Sequence, residues 1–172
     1  MGDNATNSVS DWASWPLERE IVITRVVDAD RETAFRAWTD PSQIVKWFGP
    51  DGFRLETHEI DIRAGGVWRF DMVAADGTRF ANRMEFLRIE APGLIEANHG
   101  TDADNDPDRF RMLVTFDEQD NGKTVVTLRQ MHPTPERRAF VIGFGAAEYG
   151  AQTLGKLADH VAKTPRGSDA TN

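Results

Sequence analysis

Four histidines, His58, His99, His132 and His160, are the side chains of this 172-residue sequence best suited to metal binding or proton transfer near neutral pH. None stands in an H-x-H, H-x-x-E-H or H-E-x-x-H arrangement that would project two ligands together, so no metal site is expected. His58 and Glu59 are neighbours in strand-like sequence, and alternation sends such neighbours to opposite faces. There is no cysteine, which removes thiolate nucleophiles, disulfides and thiolate metal sites. Ser8, Ser10, Ser14 and Ser168 lie near the termini, and Ser42 reads as a helix-start residue; no G-x-S-x-G elbow exists.

Three further constellations resemble known sites in part. Gly143-Phe144-Gly145-Ala146-Ala147-Glu148 begins like G-x-G-x-x-G, but only 29 residues follow Gly143, too few for the returning strand of a dinucleotide-binding unit. Asp102-Ala103-Asp104-Asn105-Asp106-Pro107 opens like a calcium loop. It has Pro107 where the sharp turn needs Gly and Leu113 where a bidentate Glu belongs, so it reads as a solvated acidic loop. Asp61, Asp71 and Glu85 sit near Arg63, Arg69 and Arg83. Lining a cavity would suit them to acid–base work, but alternation against Trp68, Phe70 and Met72 favours solvated cross-strand pairs.

The elements that must position these residues follow from periodicity. Glu20 to Val27, dense in β-branched residues, predicts a strand buried on both sides. Asp28 and Asp30 can cap a helix over Arg31 to Trp38, and Thr39-Asp40-Pro41 ends it and starts a second through Gln43 to Trp47, stopped by Gly49-Pro50. Alternation then gives six strands, at Leu55 to Ile62, Val67 to Val73, Arg79 to Ile89, Leu94 to His99, Arg109 to Asp117 and Thr124 to Met131. Asp76-Gly77 and Asn121-Gly122 are hairpin signals within this antiparallel meander. Thr134 to Lys163 has apolar residues at three- and four-residue steps and predicts one long closing helix.

That helix contains Gly143, Gly145, Gly150 and Gly155, each costing about 0.8–1.0 kcal/mol against Ala in a regular helix. A kink or a close approach to the sheet would account for them; flexibility around Gly143-Phe144-Gly145 that gates a cavity is the functional alternative. Aromatic content is also uneven, with five Trp and ten Phe against one Tyr. Large rings without hydroxyls make an apolar interior, either filled or lining a pocket.

The order strand, two short helices, six-strand meander, closing helix resembles the helix-grip fold. Four segments sharpen the likeness: DPSQIVKWFGP (Asp40 to Pro50), DIRAGGVWRFDM (Asp61 to Met72), DGTRF with MEFLRIEAPGLIEANH (Asp76 to His99), and GKTVVTLRQMH (Gly122 to His132). They resemble the bacterial START-like group, of the SRPBCC or birch-pollen-allergen-like superfamily, related to the heat-shock-chaperone ATPase activator. The resemblance spans about Glu20 to Ala162 and implies an α+β fold, a strongly curved antiparallel sheet of about seven strands wrapped around a long C-terminal helix. It also implies a cavity between them, since the wider superfamily binds lipids, sterols or polyketides. Two positions depart from the family pattern. Tyr149-Gly150 replaces a frequent Gly-Trp, and Asn82-Arg83 stands where many relatives hold a glycine.

Length fits one domain over residues 15–163, with tails at 1–14 and 164–172. A net charge of −8 (20 minus 28) opposes nucleic-acid binding. The longest apolar stretch, Ala139 to Ala147, is far short of the roughly 20 residues needed to span a bilayer, and no secretory signal opens the chain, so a cytoplasmic location is expected. The expected activity is binding of a small hydrophobic or aromatic molecule, with no cofactor and no catalytic motif. The lining set is Trp38, Trp47, Phe48, Trp68, Phe70, Met72, Met84, Phe86, Phe110, Met112, Phe140 and Phe144, with His99, Arg129 and Tyr149 as polar orienters. A chaperone-regulating or other protein-interaction module is the second class and a cyclase- or hydrolase-like enzyme the third; monomer and homodimer stay equally open.

Overall fold

The computed structural model describes residues 12–165. Seven strands form one antiparallel sheet in the order β1-β7-β6-β5-β4-β3-β2. They are β1 (Glu20–Val27), β2 (Phe53–Ile60), β3 (Val67–Ala74), β4 (Arg79–Glu90), β5 (Leu94–Thr101), β6 (Phe110–Glu118) and β7 (Thr124–Met131). β2 to β7 are the expected meander, and β1 returns beside β7 with Ile23 opposite Leu128. Among the described residues no helix is long and apolar enough to cross a membrane.

Helices α1 (Arg31–Thr39) and α2 (Pro41–Trp47) follow β1. The Asp30 carboxylate accepts a hydrogen bond from the Thr33 amide at 2.7 Å and caps α1. Asp40 ends α1 and caps α2, accepting from the Ser42 amide and hydroxyl at 2.8 and 2.7 Å; these bonds hold its carboxyl below the usual range. Ser42 is thus the helix-start residue its position suggested.

The expected single helix over Thr134 to Lys163 is two: α3 (Pro135–Gly143) and α4 (Ala146–Ala162). Both physical accounts of its glycines operate, at different positions. Gly145 has φ 95°, a left-handed conformation that ends α3 and re-aims the chain into α4. Gly150 brings α4 against β1, where a Cβ would lie 2.1 Å from Ile23 Cδ1.

The concave face of the sheet carries the core. Trp38, Trp47 and Phe48 pack edge-to-face, with Trp38–Trp47 centroids 4.9 Å apart, and Phe48 meets Trp68 at 5.2 Å. Trp47 Nε1 donates to the Ala37 carbonyl at 3.0 Å, and Trp68 Nε1 to Thr57 Oγ1 at 3.1 Å, so two indoles are buried with their N–H groups satisfied. Met84 and Phe86 complete this filled end.

The convex face is ionic. Arg63 pairs with Asp61 at 2.7 Å, Asp71 lies 3.2 Å from His58 and 3.1 Å from Arg79, and Glu85 lies 3.3 Å from Arg109. One expectation fails here. A bulge between Thr57 and Glu59 inserts an extra residue in β2, so His58 and Glu59 share the convex face, Glu59 lying 3.8 Å from Arg69. The expected tails fall mostly outside the described residues; within them, Trp12–Ser14 form a short 3-10 turn.

Candidate functional site

At the other end of the concave face lies a cavity of about 430 Å³. Alternation along the central strands supplies its floor: Met72 on β3, Asn82 on β4, His99 on β5, Phe110 and Met112 on β6, and Leu128 and Gln130 on β7. Tyr149, Gly150 and Thr153 on α4 roof it, with Val141 from α3 beside them. The break at Gly145 therefore decides where the roof lies.

Two loops close the sides. Phe48, Gly49 and Pro50 follow α2, and this segment is tied to α4 twice: Lys156 Nζ donates to the Gly49 carbonyl at 3.1 Å, and Gln152 Oε1 accepts from the Asp51 amide at 3.1 Å. The loop between β5 and β6 adds Asp106 and Asp108. Asp106 folds it, accepting from the Thr101 and Asp108 amides, each at 2.9 Å. A Cβ at Gly100 would lie 2.5 Å from Asp106 Oδ2, so glycine makes this closure possible.

Polar side chains share the wall with apolar ones, and several of them are paired. Asn82 Nδ2 donates to the Phe80 carbonyl at 2.8 Å, which turns its Oδ1 toward His99 Nε2 at 3.0 Å. Burial pushes His99 down to about 4, so the ring is neutral at pH 7. His132 is pushed to about 4 as well, by burial and then by Arg137 and Arg138. The two imidazoles flank Phe110, whose centroid is 5.0 Å from each. Arg137, the only Lys or Arg lining the cavity among the described residues, lies 3.5 Å from Asp108.

Of the residues expected to line a pocket, Phe48, Met72, His99, Phe110, Met112 and Tyr149 come together around the cavity. Trp38, Trp47, Trp68, Phe70, Met84 and Phe86 sit in the buried core instead, where Trp68 and Phe70 stack with centroids 4.0 Å apart. Arg129 is not in the cavity: one position from Gln130, it points to the convex face, hydrogen-bonds Glu20 and lies 4.8 Å from the Trp12 ring centroid. Phe140 and Phe144 are also outside it, 53% and 69% exposed and 5.0 Å apart, because the helix break turns them to solvent. Sequence reasoning missed Asn82, Gln130, His132 and Arg137 as lining residues. Alternation from Val126 and Leu128 points to Gln130, whereas no periodic signal marks Arg137, which follows a loop.

A family model described as "Activator of Hsp90 ATPase homolog 1-like protein" matches residues 28–162. The chain belongs to this family. No curated protein matches the sequence. Solved structures share the fold at low identity. A protein from Arthrobacter aurescens aligns with TM-score 0.78 and 20% identity, over 90% of this chain and 94% of that one. One from Nitrosomonas europaea aligns at 0.76 and 20%, over 86% and 97%. One from Chromobacterium violaceum aligns at 0.67 and 26%, over 83% and 96%. The START-like helix-grip assignment therefore stands for this chain.

Proposed function

We propose that this family member is a cytoplasmic binding domain, residues 15–163, that holds a small apolar or aromatic molecule between the sheet and α4 without transforming it. The supporting observation is the cavity of about 430 Å³, within the size range of small-molecule sites, beside a buried aromatic core. Aromatic and aliphatic side chains make most of its wall, and its carboxylates and imidazoles are not arranged as a nucleophile with a base. Native mass spectrometry of freshly purified protein, followed by thermal shifts with fatty acids, flavonoids and steroids, tests the reading. A ligand at 100 times its Kd stabilises the native state by about 2.7 kcal/mol. A bound species or a clear rise in melting temperature is expected; no adduct and no shift across the panel would overturn it.

The family description favours one second reading, in which the domain acts on a chaperone. The ionic convex face would then be the contact surface, and a chaperone pull-down that weakens as salt rises is the expected result.

A further inference from the structure

We propose that the cavity selects a neutral ligand carrying a hydroxyl, phenolic or alcoholic, whose O–H donates to Nδ1 of His99. This rests on the cavity-binding reading above and narrows the chemical class of the ligand.

The argument runs from the amide of Asn82. Its Nδ2 is committed to the Phe80 carbonyl at 2.8 Å, so the oxygen faces the histidine and can only accept. His99 Nε2 must then carry the ring hydrogen. A neutral imidazole has one hydrogen, so Nδ1 holds a lone pair and is an acceptor. Nδ1 makes no hydrogen bond to any described residue, although the ring is buried and lines the cavity. Nδ1 opens onto the cavity, so a ligand that fills the cavity takes this acceptor out of water, and a ligand O–H placed there would satisfy it. The ring is held between Phe70 and Phe110, with centroids 6.1 and 5.0 Å away, so the acceptor presents itself within an aromatic wall. An aromatic body with a hydroxyl matches both features.

The same wall disfavours an anion. Asp106 and Asp108 face one guanidinium, Arg137, which already lies 3.5 Å from Asp108, leaving a local excess of one negative charge. A carboxylate entering this site would be desolvated against a net negative lining, and it has no proton to give His99.

Four probes with one ring system separate the terms: naphthalene, 2-naphthol, 2-methoxynaphthalene and 2-naphthoate, titrated into the full chain at pH 7 with Kd read by calorimetry or fluorescence. We expect 2-naphthol to bind about tenfold more tightly than 2-methoxynaphthalene, the size of one satisfied buried hydrogen bond, and 2-naphthoate to bind most weakly. His99→Phe should bring 2-naphthol to the affinity of 2-methoxynaphthalene while naphthalene still binds. Asn82→Leu, which frees the ring to take the other tautomer, should shrink the same gap with His99 in place. Equal affinities for naphthol and its methyl ether in the wild type, with naphthalene binding retained, would overturn the hydroxyl assignment and leave the cavity reading standing. Tightest binding by 2-naphthoate would also overturn it. Failure of all four probes to bind would overturn both.

Discussion

Arg83 Nε donates to Asp102 Oδ1 at 2.8 Å, tying strand β4 to the first residue of the loop that walls the cavity. Arg69 grips the same carboxylate from β3, with Nη2 2.8 Å from Oδ2. Asp102 therefore stands between two guanidinium groups, which hold its carboxyl below the usual range, Arg69 contributing most. The acidic sequence that mimics a calcium loop is thus a clamp on the convex side and a cavity wall, through Asp106 and Asp108, on the other.

Replacing Asp102 by Asn removes the charge and keeps the shape. The variant should lose about 1–2 kcal/mol, because two partly buried guanidinium groups keep each other's company without a carboxylate. Amide hydrogen exchange over residues 103–109 should quicken before that of β5 and β6. Because the native carboxyl is more acidic than the unfolded one, the wild-type contribution is present at neutral pH and disappears as pH falls through the lowered value. Unchanged exchange and melting in D102N would show that the loop is held by other contacts.

Gly66 follows Gly65 in the turn before β3. A Cβ there would lie 2.1 Å from the Asp61 carbonyl oxygen, and backbone cannot swing aside as a side chain can. The turn is also fixed by Gly65 N–H to the Phe86 carbonyl at 2.8 Å and Phe86 N–H to the Gly66 carbonyl at 3.0 Å. Gly66→Ala should cost about 3 kcal/mol, the upper end of overpacking penalties, read by chemical denaturation. Gly65→Ala, with open space around it but φ 83°, should cost only about 1–2 kcal/mol of backbone strain.

Acid should destabilise the domain through two imidazoles. His99 and His132 titrate near 4 in the native state against 6.5 in the unfolded chain, so the unfolded state binds more protons between those values. Stability is complete above about pH 6.5 and falls as pH drops toward 4. Melting temperature measured across that window should decline less steeply in His99→Asn than in the wild type. Equal slopes would mean that His99 is not held neutral by burial.

The sheet was legible because its signal is local. Phe110, Met112, Val114 and Phe116 alternate, and all face the core or cavity as a pleated strand requires. The hairpin signals and the Asp30 and Asp40 caps likewise depend on neighbouring residues. The site was only partly legible, since a cavity is a property of what does not fill a space. Trp68 and Met72 lie on the same face of β3, yet one packs under Phe48 and the other borders a hole. A one-residue difference separates Gln130, which lines the cavity, from Arg129, which does not. The His58 bulge and the α3–α4 break reversed two faces that strict periodicity assigned, because each changes the phase of side-chain direction at a single residue.

The central claim is that the hollow end of the sheet, and not the filled end, receives a ligand. Methyl-detected NMR measures this directly, since Met72 and Met112 line the cavity while Met84 lies in the core. Titration with 2-naphthol should move the Met72 and Met112 methyl resonances, together with those of Leu128 and Val141, and leave Met84 nearly still. Saturable shifts confined to residues outside the cavity, or no shift at any of these methyls at the probe's solubility limit, would contradict the account.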